Sequence, residues 1–536
     1  MARYYLGIDV GTGSARAGLF DPAGRLVATD KADIQLWREA GDIVEQSSDD
    51  IWNAVCRSVR GALKTAGIAA ETIAGVGFDA TCSLVVLGKG GKPLPVGPSG
   101  DPARNVIVWM DHRAAEQAKR INRTGEKVLD YVGGQISPEM ETPKLLWLSE
   151  NMPGTFADAW QFIDLADFLT WRATGSLARS VCTVTCKWTY LAHEDRWDAG
   201  YFRAVGLGTL ADEEFRRIGT EIVPGGTRLA SGVTEKAASD LGLVPGTPVA
   251  AGLIDAHAGG VGTVGTVGAR GASGTVLSRM AYVFGTSACT LSTTSEPAFV
   301  PGVWGPYYSA MVPGLWLNEG GQSAAGAAIE QLIQMHPHSP EAARAALKQG
   351  QTLAGWLGAE AERRGGAAAV PKLVGELHVV PEFLGNRAPF ADPGARALVA
   401  GLGMETGIDS LVGFYLAGLC GLGYGARQIV RAEQEKGIAV DTIVVSGGAA
   451  QSMLVRQILA DTTGITVAAS SSPEPVLLGS AMLGAVASGD HADLRHAMET
   501  MSTLGEVYAP RPDLADWHER RFSAFEALQG VGRNIR

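Results

Sequence analysis

Short apolar runs that end in Gly or Asp alternate along the chain with segments of helical periodicity, which predicts an α/β architecture. The opening of the chain is the clearest case. Residues 4–8 and 15–20 are apolar runs, and the small and polar residues 9–14 between them are typical of a turn. A second turn is predicted at residues 21–24. The pattern therefore predicts a β-hairpin with Asp9 at the end of its first strand.

A degenerate copy of this hairpin is predicted much later in the chain. An apolar run at residues 281–284 leads into the small residues 285–289 and returns through residues 290–292. Internal similarity of this kind indicates a duplicated unit. We therefore expect two similar domains that face each other across a cleft.

Length and charge restrict the function classes. The 536 residues suffice for two large domains or several smaller ones. The formal net charge of −11, without a run of Lys and Arg, argues against a nucleic-acid partner. The apolar stretch at residues 244–268 contains Pro245, Pro248, Asp255 and His257, so no membrane segment is predicted.

Six cysteines are scattered through the chain, and of these Cys182 and Cys186 are close enough to share a local face. No second pair and no His at ligand spacing accompany them, so reduced thiols are favoured over a zinc site. The start of the chain lacks the pattern of a signal peptide, and a cytoplasmic location is expected.

The two predicted hairpin turns are candidate phosphate sites. Glycine lets a backbone approach an anion closely, and successive amide groups can form a concave nest. Such turns also occur in hairpins that bind nothing, and the sequence lacks the Walker pattern of P-loop proteins. Asp9 beneath the first turn is the carboxylate that Mg²⁺ would use, directly or through water.

Several segments carry a family resemblance. Residues 7–16 resemble the first phosphate motif of the superfamily of sugar kinases, heat-shock ATPases and actin, and residues 285–287 resemble the second. Residues 383–393 resemble a segment characteristic of FGGY carbohydrate kinases. Residues 445–452 and 457–461 resemble the adenosine-binding loop and helix of that family. The resemblance extends over residues 3 to 490 in family order.

The resemblance implies an α/β fold of two ribonuclease-H-like domains facing across a catalytic cleft. We expect an N-terminal domain at residues 1–268, a C-terminal nucleotide-binding domain at residues 269–490 and a helical extension at residues 491–536. The implied partners are a small sugar or polyol and ATP, with Mg²⁺ as metal cofactor. The oligomeric state is left open, with a homodimer as one alternative.

Within the family, residues 77–87, 109–114 and 143–148 resemble ribulokinases. Glycerol kinases carry an Arg-Glu pair, and xylulokinases a Met-His pair, where this chain has Thr81 and Cys82. The resemblance therefore implies phosphorylation of a five-carbon ketose, with D-ribulose to D-ribulose 5-phosphate as the first choice. Ribitol and L-ribulose are alternatives.

The resemblance also assigns roles to individual residues. Residues 248–254 predict a buried strand, and Asp255 after it is either a helix N-cap or, as the family implies, the general base. Lys187 and Glu319 resemble sugar-contacting residues, and His257 is either a sugar or phosphate contact or a structural residue. Further candidates for the sugar pocket are Thr81, Cys82 and Asp111. Candidate nucleotide residues are Gly11, Thr12, Gly13, Ser14, Arg16, Gly285, Thr286, Ser287, Gly447 and Gly448.

Two other classes are weighed against the kinase. A nucleotide-binding regulator or chaperone-like ATPase could use the same scaffold, but the chain has no helix-turn-helix pattern or substrate-binding β module. A nicotinamide-dependent dehydrogenase would need a Gly-x-Gly-x-x-Gly turn leading into a helix. The turn that begins at Gly11 lacks the third glycine and leads into a strand.

Overall fold

The structure is a computed structural model and describes residues 3–40, 42–265, 273–448 and 451–536. The strands are β1 (Tyr4–Val10), β2 (Ser14–Phe20), β3 (Leu26–Asp33), β4 (Trp37–Glu39), β5 (Ile43–Gln46), β6 (Ile73–Ala80), β7 (Leu84–Gly88), β8 (Lys92–Pro93), β9 (Val106–Ile107), β10 (Ala159–Asp164), β11 (Arg179–Ser180), β12 (Ile222–Val223), β13 (Leu253–Ile254), β14 (Arg279–Phe284), β15 (Ala288–Thr294), β16 (Trp304–Tyr308), β17 (Trp316–Gln322), β18 (His378–Val380), β19 (Leu398–Ala400), β20 (Thr442–Ser446), β21 (Thr466–Ser470) and β22 (Leu504–Tyr508). The helices are α1 (Ser48–Ala66), α2 (Ala115–Asn122), α3 (Glu141–Asn151), α4 (Pro153–Asp158), α5 (Leu165–Thr174), α6 (Val181–Trp188), α7 (Ala199–Ala204), α8 (Gly208–Asp212), α9 (Glu235–Leu241), α10 (Asp255–Val264), α11 (Gly326–Gln334), α12 (Ser339–Lys348), α13 (Leu353–Arg363), α14 (Val370–Val374), α15 (Ile408–Gln434), α16 (Met453–Thr463), α17 (Pro475–Ala487), α18 (Leu494–Met501) and α19 (Ala515–Asn534).

Two sheets repeat one arrangement of strands. The N-terminal sheet has the order β13-β6-β1-β2-β3, and the C-terminal sheet contains β17-β15-β14-β20-β21 with β16 and β22 at its edges. In both sheets an antiparallel three-stranded meander is followed by two strands parallel to its first member. Both predicted hairpins and the predicted duplication are confirmed.

Helices α10 and α17 pack against each other between the two sheets, and α17 also lies on β1 and β6 of the N-terminal sheet. Their close approach depends on glycine. A Cβ atom on Gly479 would lie 1.9 Å from the carbonyl oxygen of Ala258, and one on Gly77 would lie 1.8 Å from that of Ser480. Any larger side chain at these positions would force the two halves of the protein apart.

The predicted strand at residues 248–254 is shorter in the structure. Val249 forms an isolated bridge to Val76, and β13 itself covers the last two residues of the segment. The N–H of Ala250 donates to Val76 of β6 at 3.0 Å, and the N–H of Ala251, on the other side of the segment, donates to the carbonyl of Thr227 at 2.8 Å. The end of the segment nevertheless joins the sheet where the strand was expected.

The last part of the chain is not helical throughout. Residues 504–508 form β22, which pairs with β21 and extends the C-terminal sheet, and α19 packs on β18 and β19. Helix α15 is long and apolar enough to cross a membrane, but 72% of its most apolar window is buried inside the protein. It is therefore the central helix of the C-terminal core. The domain boundary predicted at residue 268 lies outside the described residues.

Candidate active site

Three carboxylates meet at one edge of the N-terminal sheet. Asp9 near the end of β1 lies in register with Asp79 on the parallel neighbour β6. On the other side of β6, Leu253 of β13 pairs with Asp79, and Asp255 follows two residues later as the first residue of α10. The parallel pairing thus brings together side chains that are far apart in sequence.

Burial and mutual repulsion change the pKa values of Asp79 and Asp255. Burial first, and the charge of Asp9 second, raise the pKa of Asp255 to about 6. The same two causes raise the pKa of Asp79 well above its ordinary value, although the Ser480 hydroxyl donates to it at 2.5 Å. The N–H of Ala256 donates to Asp255 at 2.7 Å, whereas the N-cap position of α10 belongs to the preceding residue. Asp255 is therefore not the N-cap of α10, which was one of the two alternatives that the sequence left open.

Arg16 links the carboxylate edge to the C-terminal half. Its Nε donates to Oδ2 of Asp9 at 2.8 Å, and its Nη1 lies 3.1 Å from Oε2 of Glu474. Arg16 also lines a cavity of about 570 Å³ together with Gly447 and Gly448. The structure thus places Arg16 beside two of the candidate nucleotide residues.

Each of the two candidate phosphate turns is closed by a backbone bond from the N–H of a glycine. The N–H of Gly11 donates to the carbonyl of Ser14 at 3.0 Å, and the N–H of Gly285 donates to that of Ser287 at 2.9 Å. Thr12 in the first turn accepts from the indole of Trp109 at 2.9 Å. All candidate nucleotide residues are at least partly exposed, namely Gly11, Thr12, Gly13, Ser14, Arg16, Gly285, Thr286, Ser287, Gly447 and Gly448.

A second cavity, of about 640 Å³, opens in the C-terminal half. Gly285 and Thr286 of the second turn line it, together with Gly448, Tyr415 and Met453. The volume lies within the range usual for small-molecule sites. The turn that would bind phosphate and the loop that would bind adenosine therefore border one cavity.

The predicted sugar residues Lys187 and Glu319 meet in the structure. Nζ of Lys187, in α6, lies 3.7 Å from Oε2 of Glu319, in β17, and both side chains are almost fully buried. Burial alone would raise the pKa of Glu319, but Lys187 and His257 lower it to about 2. For Lys187, burial lowers the pKa, but Glu319 acting together with Cys82, Tyr307 and Cys186 raises it, and the net shift is upward. Both groups are therefore charged at neutral pH.

Sequence reasoning missed two residues beside this pair. Nζ of Lys187 lies 4.5 Å from the ring centroid of Trp304, and the guanidinium of Arg387 lies 5.1 Å from the same centroid. Arg387 also approaches the carboxylate of Glu139 at 3.8 Å. Arg387 could have been found, because it lies in the segment 383–393 that resembles the family. Aromatic residues in strands usually belong to the hydrophobic core, so nothing in the sequence indicated that Trp304 lies at the candidate site.

The remaining sugar candidates differ in position. Cys82 lies close enough to Lys187 for that charge to oppose the rise of its pKa on burial. Thr81 is buried, and its hydroxyl lies 3.3 Å from that of Ser83. Asp111 is fully buried, and its carboxylate accepts from Val44 N–H at 2.6 Å and from Arg113 at 2.7 Å.

The structure contradicts a sugar contact by Asp111 and favours the structural alternative that was left open for His257. The carboxylate of Asp111 is occupied by its own neighbours, so it supports the backbone and is not presented to a sugar. His257 is also fully buried, with one ring nitrogen facing Cys182 and the other facing Glu319. It therefore contacts the sugar pair from inside the protein, through Glu319.

Comparison with known proteins identifies the class. Residues 4–262 match the N-terminal domain of the FGGY family of carbohydrate kinases, and residues 280–488 match its C-terminal domain. A human FGGY carbohydrate kinase domain-containing protein is 45% identical over 98% of this chain and 96% of its own length. The D-ribulokinase of Saccharomyces cerevisiae is 36% identical over 91% of this chain and 72% of its own.

Solved structures agree on the fold. Xylulose kinase from Rhodospirillum rubrum has a TM-score of 0.79 at 22% identity and covers 99% of both chains. Plasmodium falciparum glycerol kinase with ADP has a TM-score of 0.77 at 16% identity, covering 100% of this chain and 99% of its own. The fold is that of a two-domain sugar kinase. The chain belongs to the FGGY family of carbohydrate kinases.

The electrostatic coupling of Asp9 and Asp255 can be tested directly. Asp9→Asn removes a negative charge beside Asp255, so the pKa of Asp255 should fall from about 6 toward the ordinary value of about 3.9. The measurement is a carboxyl ¹³C NMR titration, with the Asp255 resonance assigned by its loss in Asp255→Asn. Asp164 is the internal control, because its pKa is raised mainly by its own burial and by Asp167. Its titration should therefore not change in Asp9→Asn. An Asp255 titration that is the same in both proteins would refute the coupling.

Proposed function

We propose that this protein transfers the γ-phosphoryl group of ATP to the terminal hydroxyl of D-ribulose and so forms D-ribulose 5-phosphate. The observation that carries the proposal is the position of Asp255. Asp255 is close enough to Asp9, below the first phosphate turn, and to His257, which contacts Glu319 of the candidate sugar pair, for both groups to affect its pKa. A base with a raised pKa thus lies near both the candidate phosphate turn and the candidate sugar pair.

Asp255 is the general base of the proposed reaction. With a pKa of about 6 it is ionised at neutral pH and accepts the proton of the attacking hydroxyl. The transition state of phosphoryl transfer is loose, so orienting that hydroxyl in line with the phosphorus contributes as much as removing its proton. The start of α10 fixes Asp255 for this task.

The proposal that ATP binds in the C-terminal half is supported by the two candidate phosphate turns and by the cavity of about 640 Å³ that the second turn borders. The residues of both Gly-containing turns are at least partly exposed, and backbone N–H groups of such turns suit the phosphates of ATP. Among the residues that the structure describes, no group of three side chains, including the three carboxylates at this edge, could hold a metal ion by itself. Asp9, bonded to Arg16, would therefore suit a Mg²⁺ ion held mainly by water and phosphate oxygens. When bound, that ion would neutralise charge on the β- and γ-phosphates.

The choice of D-ribulose rests on two supports. One is the similarity to a yeast D-ribulokinase over most of the chain. The other is the pair of buried charges, Lys187 and Glu319. A sugar with one hydroxyl inverted would leave one of these buried charged groups without its hydrogen bond to the sugar, at a cost of about 1–3 kcal/mol or more. L-Ribulose and ribitol retain several hydroxyls in matching positions and are the nearest competitors.

A panel of sugars tests the substrate. With Mg·ATP we expect kcat/KM for D-ribulose to exceed that for D-xylulose and glycerol by at least about 10²-fold, because polar sites reject analogues that leave them unpaired. The measurement is the rate at which the enzyme forms ADP with each acceptor under one set of conditions. The acceptors are D-ribulose, L-ribulose, ribitol, D-xylulose and glycerol. A preference for xylulose or glycerol would overturn the substrate while leaving the sugar-kinase assignment intact.

The role of Asp255 predicts a mutational and a pH effect. Asp255→Asn should lower kcat by about 10²- to 10⁴-fold with little change in nucleotide affinity. Because the base is active when deprotonated, wild-type kcat should fall as the pH drops through about 6. The matched control is Asp198→Asn, since Asp198 caps α7 through the N–H of Tyr201. If Asp255→Asn kept kcat within threefold of the wild type, the assignment would be wrong.

A further inference from the structure

A chain of polar contacts runs behind the candidate sugar pair. Nδ1 of His257 lies 3.0 Å from Sγ of Cys182, and Nε2 of the same ring lies 3.3 Å from Oε2 of Glu319. Cys182 and His257 are fully buried, and Glu319 is 5% exposed. Both ring nitrogens of His257 are therefore engaged inside the protein.

The sulfur end of this chain is held in place. The backbone N–H of Ile254 donates to Sγ of Cys182 at 3.3 Å, and Cys182 lies in the first turn of α6, which the Ser180 hydroxyl caps. Burial alone would raise the pKa of Cys182, but the bond from Cys186 and the charge of His257 lower it to about 5. Burial would lower the pKa of His257, yet Cys182 and Glu319 raise it to about 9. An imidazolium between a thiolate and a carboxylate, donating from both ring nitrogens, satisfies all three groups.

The contacts also join the two halves of the protein. Cys182, Lys187 and His257 belong to the part that matches the N-terminal family domain, whereas Glu319 belongs to the part that matches the C-terminal domain. Lys187 and His257 both approach Oε2 of Glu319, at 3.7 and 3.3 Å. The carboxylate of the C-terminal half is thus fixed by two cations of the N-terminal half.

We propose that His257 is a positioning residue for the sugar, and that Cys182 fixes its ring so that Nε2 holds Glu319 beside Lys187. The inference rests on the proposed function, because it gives His257 a role in sugar binding. With Oε2 of Glu319 occupied by the two cations, Oε1 is the oxygen that accepts a sugar hydroxyl. His257 does not touch the sugar and does not move a proton in the reaction.

The test separates positioning from folding. His257→Ala removes the bond to Glu319, and a lost bond to a buried charge corresponds to a rise in sugar KM of about 10- to 100-fold. The KM for ATP should stay unchanged, and kcat should fall less than the sugar KM rises. His257→Gln keeps a side-chain amide donor that can reach Glu319, so it should restore most of the loss. Cys182→Ala should raise the sugar KM in the same direction by a smaller factor, which provides a second route if His257→Ala does not fold.

The matched control is His518→Ala. His518 is also a buried histidine, 2% exposed, and its Nδ1 lies 2.9 Å from the hydroxyl of Tyr424 in the C-terminal half. The substitution His518→Ala should lower thermal stability without changing the KM for the sugar or the KM for ATP. The sugar is D-ribulose, and its KM is read from sugar-dependent ADP formation by each variant.

The possible results have distinct meanings. A rise in sugar KM for His257→Ala and Cys182→Ala, with rescue in His257→Gln, supports the positioning role. A sugar KM within twofold of wild type in the folded variants overturns this inference alone. If the wild-type protein shows no sugar-dependent turnover with any sugar of the panel, the proposed function fails and the inference fails with it.

Discussion

The contact between Lys187 and Glu319 is the interaction on which the rest of the candidate site depends. Two nearly buried charges from different halves of the chain lie 3.7 Å apart. Removing one partner of such a pair leaves an uncompensated buried charge and costs about 3–5 kcal/mol. The site therefore requires the two halves to be held close together, and the glycine-mediated contact between α10 and α17 provides this. The proposed recognition of the sugar and the packing between the halves thus depend on the same contacts.

The same packing explains why Asp255 has an unusual pKa. Parallel pairing aligns β1, β6 and β13, so three acidic residues converge where β1 and β6 end and α10 begins. Burial and the charge of Asp9 then make the protonated form of Asp255 more favourable than in water. A carboxylate that must accept a proton benefits from this shift. The proposed chemistry follows from backbone register together with desolvation.

The sequence predicted local features well and tertiary contacts poorly. The hairpin turns at Gly11 and Gly285 could be predicted because Gly, Thr and Ser between apolar runs determine a turn locally. Their duplication was predictable for the same reason. The roles of His257 and Asp111 could not be, because they depend on partners such as Glu319 and Arg113 whose positions only the fold determines. Trp304 was missed because nothing local distinguishes an aromatic residue at a site from one in the core.

The most direct test of the account is the balance of products formed from ATP and D-ribulose, followed by ³¹P NMR. If the two halves form a sugar kinase site, each ADP formed should be accompanied by one sugar phosphate, and ADP should not accumulate without sugar. Release of inorganic phosphate at the same rate with and without D-ribulose would contradict the account. That result would favour a nucleotide-hydrolysing regulator built on the same fold.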